Sequence, residues 1–312
     1  MTGPDVAPAP GATADGELLP IVDAHHHLWD RAANRYPMLE GPMHDRGWGD
    51  WAPLRRNYLV EDLLADAARQ RLIKSVHVQA NVDRSDPVRE TAWLTEVAGR
   101  TGFPHAIVAF VDLSADDAAA WLDRHAAFDR VRGIRQVLNR HPDPRHNRAE
   151  HDYLADPAWQ RGLGLLQRYG FSFDVQVYWP QMDRIAELAD RYPQQQFILD
   201  HAGMPLERDA AGLDGWRHAM RRLAERPNIV VKLSGYGMTD LDWTVDSLRP
   251  FVLEPIQWFG PERAMFGSNF PVDRLMADYD RLWNAYRALI ADFSRDQQRA
   301  LLAGTAERIY RI

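Results

Sequence analysis

What most constrains the fold of this chain is a regular beat: eight short apolar runs, each followed by a longer amphipathic stretch. The runs fall at 20–24, 73–79, 106–112, 131–136, 171–177, 196–200, 228–233 and 264–268. Each is rich in Val, Ile or Phe, as strands covered on both faces are. Between them the pattern turns helical. Residues 60–71 carry Leu63, Leu64 and Ala67, with acids early and Arg71 late, in keeping with the helix dipole. Residues 183–192 and 216–225 read the same way, and Ser294 with Gln297 forms a capping box that opens a last helix. Strands alternating with helices predict a parallel sheet. Eight such units predict a single (β/α)8 TIM barrel, which commonly takes about 250 residues as one domain. No G-x-G-x-x-G turn is present, so an open dinucleotide-binding sheet loses its best support.

The barrel is expected to occupy residues 20–312. Residues 1–19 are rich in Ala, Pro and Gly, with neither a basic start nor an apolar stretch, and read as a disordered tail rather than a secretory signal. No run approaches the roughly 20 apolar residues that span a bilayer. A cytoplasmic protein with no membrane partner is therefore expected. The chain has no cysteine, which excludes thiol catalysis, thiolate metal sites and disulfides. A formal charge of −7, with arginines interspersed among acids, argues against nucleic acid. The expected partner is a small-molecule substrate, and the apolar helix faces leave a homo-oligomer open. Nearly all basic residues are arginine. Only Lys74 and Lys232 are lysine, which singles out Lys232 in the seventh run.

In a (β/α)8 barrel the chemistry lies at the C-terminal ends of the strands. The first run ends in Asp23-Ala24-His25-His26-His27. Strand alternation places Asp23, His25 and His27 on one face and His26 on the other. The sixth ends in Asp200-His201-Ala202-Gly203, so three histidines, His25, His27 and His201, are expected at one barrel mouth. The fourth run offers Arg132, Arg135 and Gln136, with Arg135 suited to clamp a carboxylate or hydroxyl. Gln176 in the fifth and Gln79 in the second, on a face with His77 and Asn81, are candidate hydrogen-bonders. Lys232 is read either as neutralising an anionic group or as an outer salt bridge. The eighth run ends in Asn269, which cannot act as a base. Asp273 can, if the turn through Pro271 returns it to the mouth. Two connections are long. The first, from Trp29 to about Tyr58, holds Tyr36, Trp48 and Trp51 and is expected to wall the site. The second, from Leu138 to about Pro157, holds His141, His146 and His151 and is expected to be a mobile lid with solvated histidines. Trp48, Trp51 and Trp179 suit stacking on a ring.

The run Val22-Asp23-Ala24-His25-His26-His27-Leu28-Trp29 resembles the first-strand motif of the amidohydrolase superfamily. The resemblance is to its amidohydrolase-related (amidohydrolase 2) branch, which includes sugar lactonases and pyrone-dicarboxylate hydrolases. Gly133-Ile134-Arg135-Gln136, Asp200-His201-Ala202-Gly203, Lys232-Leu233-Ser234-Gly235 and Met265-Phe266-Gly267-Ser268 are similar to the same branch. The resemblance implies a hydrolase that opens a small lactone or related cyclic ester. His25, His27 and His201 would polarise the carbonyl, and an acid or histidine would activate water. Arg135, Gln176, Gln79, Lys232 and Trp48 would hold the substrate. The chain departs from the branch in two ways: Asn269 stands where an aspartate is usual, and no His ends the fifth run. The expectation is therefore that no cofactor is required. The alternative is a divalent metal such as zinc on His25, His27 and His201, since a catalytic zinc takes three protein ligands and an open position. Without that aspartate, Asp273 is the first candidate base and one of the histidines the second. Two other activities stay open: metal-dependent decarboxylation, and a barrel that binds ligand without turnover.

Overall fold

The computed structural model describes residues 18–312. The expected tail lies outside these up to residue 17, and Leu19 is already buried. Eight strands form one parallel sheet in sequential order: β1 (Ile21–His26), β2 (Leu72–Val78), β3 (Ala106–Ala109), β4 (Val131–Val137), β5 (Ser172–Gln176), β6 (Phe197–Leu199), β7 (Ile229–Leu233) and β8 (Ala264–Phe266). A helix follows each: α1 (Val60–Asp66), α2 (Val88–Thr101), α3 (Ala118–Ala126), α4 (Pro157–Tyr169), α5 (Met182–Arg191), α6 (Ala210–Ala224), α7 (Val245–Phe259) and α8 (Tyr279–Leu289). The expected (β/α)8 barrel is therefore the fold. No described helix is long and apolar enough to cross a membrane.

Each strand sits on its expected run, and the differences have local causes. β6 stops at Leu199 because Asp200 and His201 already turn away as site residues. β1 runs two residues further than expected because it closes the barrel against the chain after β8. There Asn269 N donates to His25 O at 2.7 Å, and His27 N donates to Phe270 O at 2.7 Å. α6 opens six residues before the expected 216, on an Asp209 side chain that accepts from Gly212 N at 2.7 Å. Gly212 and Gly215 are poor helix formers and hide that start in the sequence. The capping box of Ser294 and Gln297 is present.

The barrel interior is a small apolar plug at one end and a polar floor at the other. Val22, Ala24, Val76, Val78, Ala106, Val108, Ile198, Val230 and Met265 pack with Ala303, Ala306, Ile309 and Tyr310 of the C-terminal segment. That segment closes the N-terminal end of the strands, where Glu307 also pairs with Lys74 at 2.6 Å. Everything above the plug is left for chemistry.

Outside the barrel, His125 on α3 bridges to α2. It is fully buried, with one ring nitrogen 3.1 Å from Thr91 Oγ1 and the other 3.1 Å from the Phe110 carbonyl. Burial lowers it from 6.5 to about 4. A histidine depressed in the native state binds its proton first in the unfolded chain. Its contribution is complete above about pH 6.5 and is lost as pH falls toward 4. His125→Gln is therefore expected to flatten the pH dependence of unfolding free energy in that window by up to one proton, about 1.4 kcal/mol per pH unit. Denaturant titrations at stepped pH test this, and equal slopes for variant and wild type would refute it.

Candidate active site

The floor of the site is set by an irregularity in β1. Val22 and Ala24 face the interior plug, so strict alternation would send His25 outward. The β1–β2 register shifts between Asp23 and His26, and His25 turns in instead. Asp23 faces out, where it accepts from Ser268 Oγ at 2.6 Å, Ser268 N at 2.8 Å and Tyr279 OH at 3.1 Å. The expectation that Asp23 shares a face with His25 and His27 is thus corrected, although the two histidines do meet, with ring centroids 5.1 Å apart. His26 turns away, to Ser75 Oγ at 2.9 Å. This closure needs Gly267, directly after β8: a Cβ there would lie 2.7 Å from His25 Cβ and 2.9 Å from His25 N.

Beneath the floor lies a buried charged cluster. Lys232 Nζ donates to Asp174 Oδ2 at 2.5 Å and lies 3.2 Å from Asp200 Oδ1 and 3.3 Å from His25 Nδ1. Tyr310 OH donates to the same Asp174 oxygen at 2.9 Å. Arg135 Nη1 is 3.8 Å from Asp200 Oδ2. Lys232 is fully buried and neutralises anionic groups, as one of its two readings has it, but these are the chain's own acids. It is no outer salt bridge and does not line the cavity where it was expected to hold substrate. Burial would raise Asp200, but Lys232 and His25 outweigh it and hold the carboxyl well below its ordinary range. Burial, helped by Lys232, lowers His25 well below the usual imidazole value. It also lowers His27, helped by Arg135, and takes His201 to about 3.

Above the cluster opens a cavity of about 590 Å³ whose lining includes His27, Gln79, Arg135, Gln176, His201, Asn269 and Trp48. Seven of the ten expected residues meet there. Arg135 donates to Gln176 Oε1 at 2.9 Å and to the Gln79 carbonyl at 2.7 Å. Gln176 passes the chain on to Asn139 Oδ1 at 3.0 Å. Three lining residues, Asn81, His201 and Asn269, have φ of 57°, each just past a strand end. Asn tolerates this region, whereas a His there costs of order 1–2 kcal/mol. His77, expected beside Gln79, faces out and accepts from Leu28 N at 3.1 Å. Gln136 also faces out, bonded by Trp159 Nε1 and Leu113 N. Trp51 is buried behind the wall, and Trp179 donates to Glu207.

His27 Nδ1 lies 2.7 Å from the Val78 carbonyl, which fixes that nitrogen as the donor and leaves the lone pair on Nε2. Nε2 faces Asn269 Oδ1 at 3.3 Å without a proton to share, and Asn269 Nδ2 donates to Asp273 Oδ1 at 2.9 Å. Asp273 is buried behind Asn269, held also by Gly237 N, and does not line the cavity. Burial raises it to about 7 against those two hydrogen bonds. The turn through Pro271 therefore brings Asp273 only to second rank.

Donor atoms of His25, Asp200 and His201 lie within 4.8 Å of one another. His25 Nε2 is buried without a hydrogen-bond partner among the described residues, and His201, with Nδ1 on Ser234 Oγ at 2.9 Å, has its Nε2 to give. Two imidazoles and a carboxylate fit a divalent ion such as zinc. Asp200 takes the place in this triad expected of His27. The sequence carried its one signal: Asp200 ends a buried strand directly before His201.

Residues 22–312 match the amidohydrolase family model, and the chain belongs to the amidohydrolase family. It is a hydrolase. An uncharacterized protein, y4mH, of Sinorhizobium fredii is 42% identical over 293 residues, 94% of this chain and 98% of that one. The L-fucono-1,5-lactonase of Burkholderia multivorans is 33% identical over 304 residues, 93% of this chain and 95% of its own. A solved amidohydrolase from Burkholderia multivorans with bound zinc superposes with a TM-score of 0.77 at 30% identity, covering 94% of this chain and 99% of that one.

Because Gly267 seats β1, Gly267→Ala is expected to cost about 1–3 kcal/mol of stability. Displacing His25 would also lower activity at a temperature where the variant stays folded. Calorimetry with assays on the same sample tests this; wild-type stability and rate together would disprove the role.

Proposed function

We propose that the protein opens a small lactone, or a related cyclic ester, in the cavity above His27. The observation that carries this is the convergence of His27, His201, Asn269 and Arg135 on one cavity floor, directly over the His25–Asp200 pair. The lactonase relative, matched along nearly its whole length, supports ring opening over decarboxylation or binding without turnover. His25, Asp200 and His201 would hold a divalent ion, and its chemistry there would be to polarise the ester carbonyl and acidify water.

The chain's own residues do the rest. His27 Nε2 takes a proton from water as it attacks the carbonyl carbon, since its Nδ1–H is anchored on Val78 O. Asn269 lies beside Nε2, held in place by Asp273 behind it as a positioning residue. Arg135, oriented by Gln176, faces the negative charge that develops on the carbonyl oxygen. When the ring C–O bond breaks, the alkoxide takes the proton back from His27, and the product is the open hydroxy acid.

His27→Ala is expected to lower kcat on an accepted sugar lactone by about 10²–10⁴-fold, the usual worth of general-base catalysis. A pH-indicator assay of acid release reads this, and an unimpaired variant would exclude the base. Protein purified without added metal is expected to carry close to one divalent ion per chain and to lose activity on chelation. His25→Ala should lower the ion content measured by elemental analysis. Full activity in metal-free protein would remove the ion from the mechanism.

A further inference from the structure

The long loops place more positive charge on the cavity than the chain neutralises. Five arginines line it, Arg35, Arg46, Arg84, Arg135 and Arg148. Arg35 pairs with Asp83 and Arg84 with Glu150, each at 2.7 Å, and Arg135 reaches Asp200 below. Arg46 and Arg148 have no ion pair among the described residues, although both are partly buried.

These two are held together rather than apart. Arg148 Nη2 donates to the Arg46 carbonyl at 2.7 Å, and both guanidiniums cover the Trp48 ring, at 5.2 and 5.7 Å from its centroid. Arg46 Nε is buried without a hydrogen-bond partner among the described residues. Asp45, the nearest acid in sequence, is engaged by Gly47 N at 2.8 Å and Arg145 at 3.9 Å. Burial and the like charge of Arg148 lower Arg46 to about 10. Two desolvated cations side by side repel each other, and a buried unpaired donor is costly. A bound oxyanion relieves both.

We infer that Arg46 and Arg148, both against Trp48, form an anion subsite, and that the substrate is a lactone carrying a negatively charged oxyanion substituent, carboxylate or phosphate. This rests on the lactone reading of the same cavity. The ester lies over His27 while the charged group lies under the two loops. The subsite joins the first long loop to the second, so both connections serve substrate selection.

The test compares lactones of one ring size carrying a carboxylate, a phosphate or a neutral hydroxymethyl group. At least one anionic lactone is expected to show a KM about 10–100-fold below the neutral one, the scale of charge-assisted hydrogen bonds. Which anion wins identifies the substituent. Arg46→Met and Arg148→Met should each raise that KM at least tenfold more than they raise KM for the neutral lactone, and Arg148→Lys should recover part of the loss. Equal KM values across the series, or equal losses on charged and neutral lactones, would overturn the subsite and leave the arginines as supports for Trp48. If no lactone turns over, the hydrolytic reading fails on its own, and calorimetric binding decides the subsite. Glucarate binding that exceeds glucitol binding and weakens in both Met variants supports it, and no preference refutes it.

Discussion

The buried ammonium of Lys232 is the interaction on which the rest of this barrel depends. A charge without solvent must be paired and hydrogen-bonded to be tolerated, and Lys232 meets Asp174 on β5 and Asp200 just past the end of β6. The two acids need cations in return, which Lys232 and Arg135 supply between them. The cluster thereby ties β4, β5, β6 and β7 together below the floor and presents Asp200 to His25 at 3.3 Å. Tyr310 extends the same network into the C-terminal plug. The apolar end of the barrel and its reactive end are therefore coupled through one pair of carboxylates. Breaking such a pair leaves an uncompensated charge inside, which is why these groups act as a unit.

Strain concentrates just above that unit. Asn81, His201 and Asn269 all take up the left-handed backbone region at the point where a strand gives way to its loop. Such conformations persist only where the surroundings over-determine them. Here His201 is pinned through Ser234 and Asn269 through Asp273 and the His25 carbonyl. The turns direct side chains inward that a relaxed continuation of the strand would point along the barrel axis or out of it.

Much of the fold was legible in the sequence, because both-face burial writes each strand as an apolar run. All eight runs carry strands, with boundaries displaced by one to three residues at most ends. His25, His27 and His201 were legible for a simpler reason: polar residues at the ends of apolar strands have few structural uses. The alternation argument brought His25 and His27 together, as the structure does, but gave the wrong face for Asp23, since no residue pattern announces the register shift after it. Gly267, which makes room for that shift, reads in sequence only as a glycine. Arg46 and Arg148 were invisible for another reason. They sit about a hundred residues apart in two irregular loops, and their contact with each other and with Trp48 is purely tertiary. The second loop is no free lid in this structure, for Arg148 and the Tyr178–His146 hydrogen bond dock it. Of its histidines only His151 is exposed.

Asn269 and Asp273 are best understood as one choice rather than two. An aspartate at 269 would place its carboxylate where the amide now contacts Asp273 at 2.9 Å, and two adjacent carboxylates in a buried site cannot both stay ionised. With Asp273 already pushed up to about 7 by burial, that repulsion would add to an existing cost. An amide at 269 removes it, donating through Nδ2 to Asp273 while its Oδ1 lies 3.3 Å from His27 Nε2. The carboxylate is thereby moved one layer back from the cavity, and its influence arrives through a group that has no titration of its own. An amide cannot carry the proton that water gives up, so in the proposed mechanism that proton passes to the neighbouring imidazole. That amide, together with the cavity-facing imidazole, is why His27 is the base we propose.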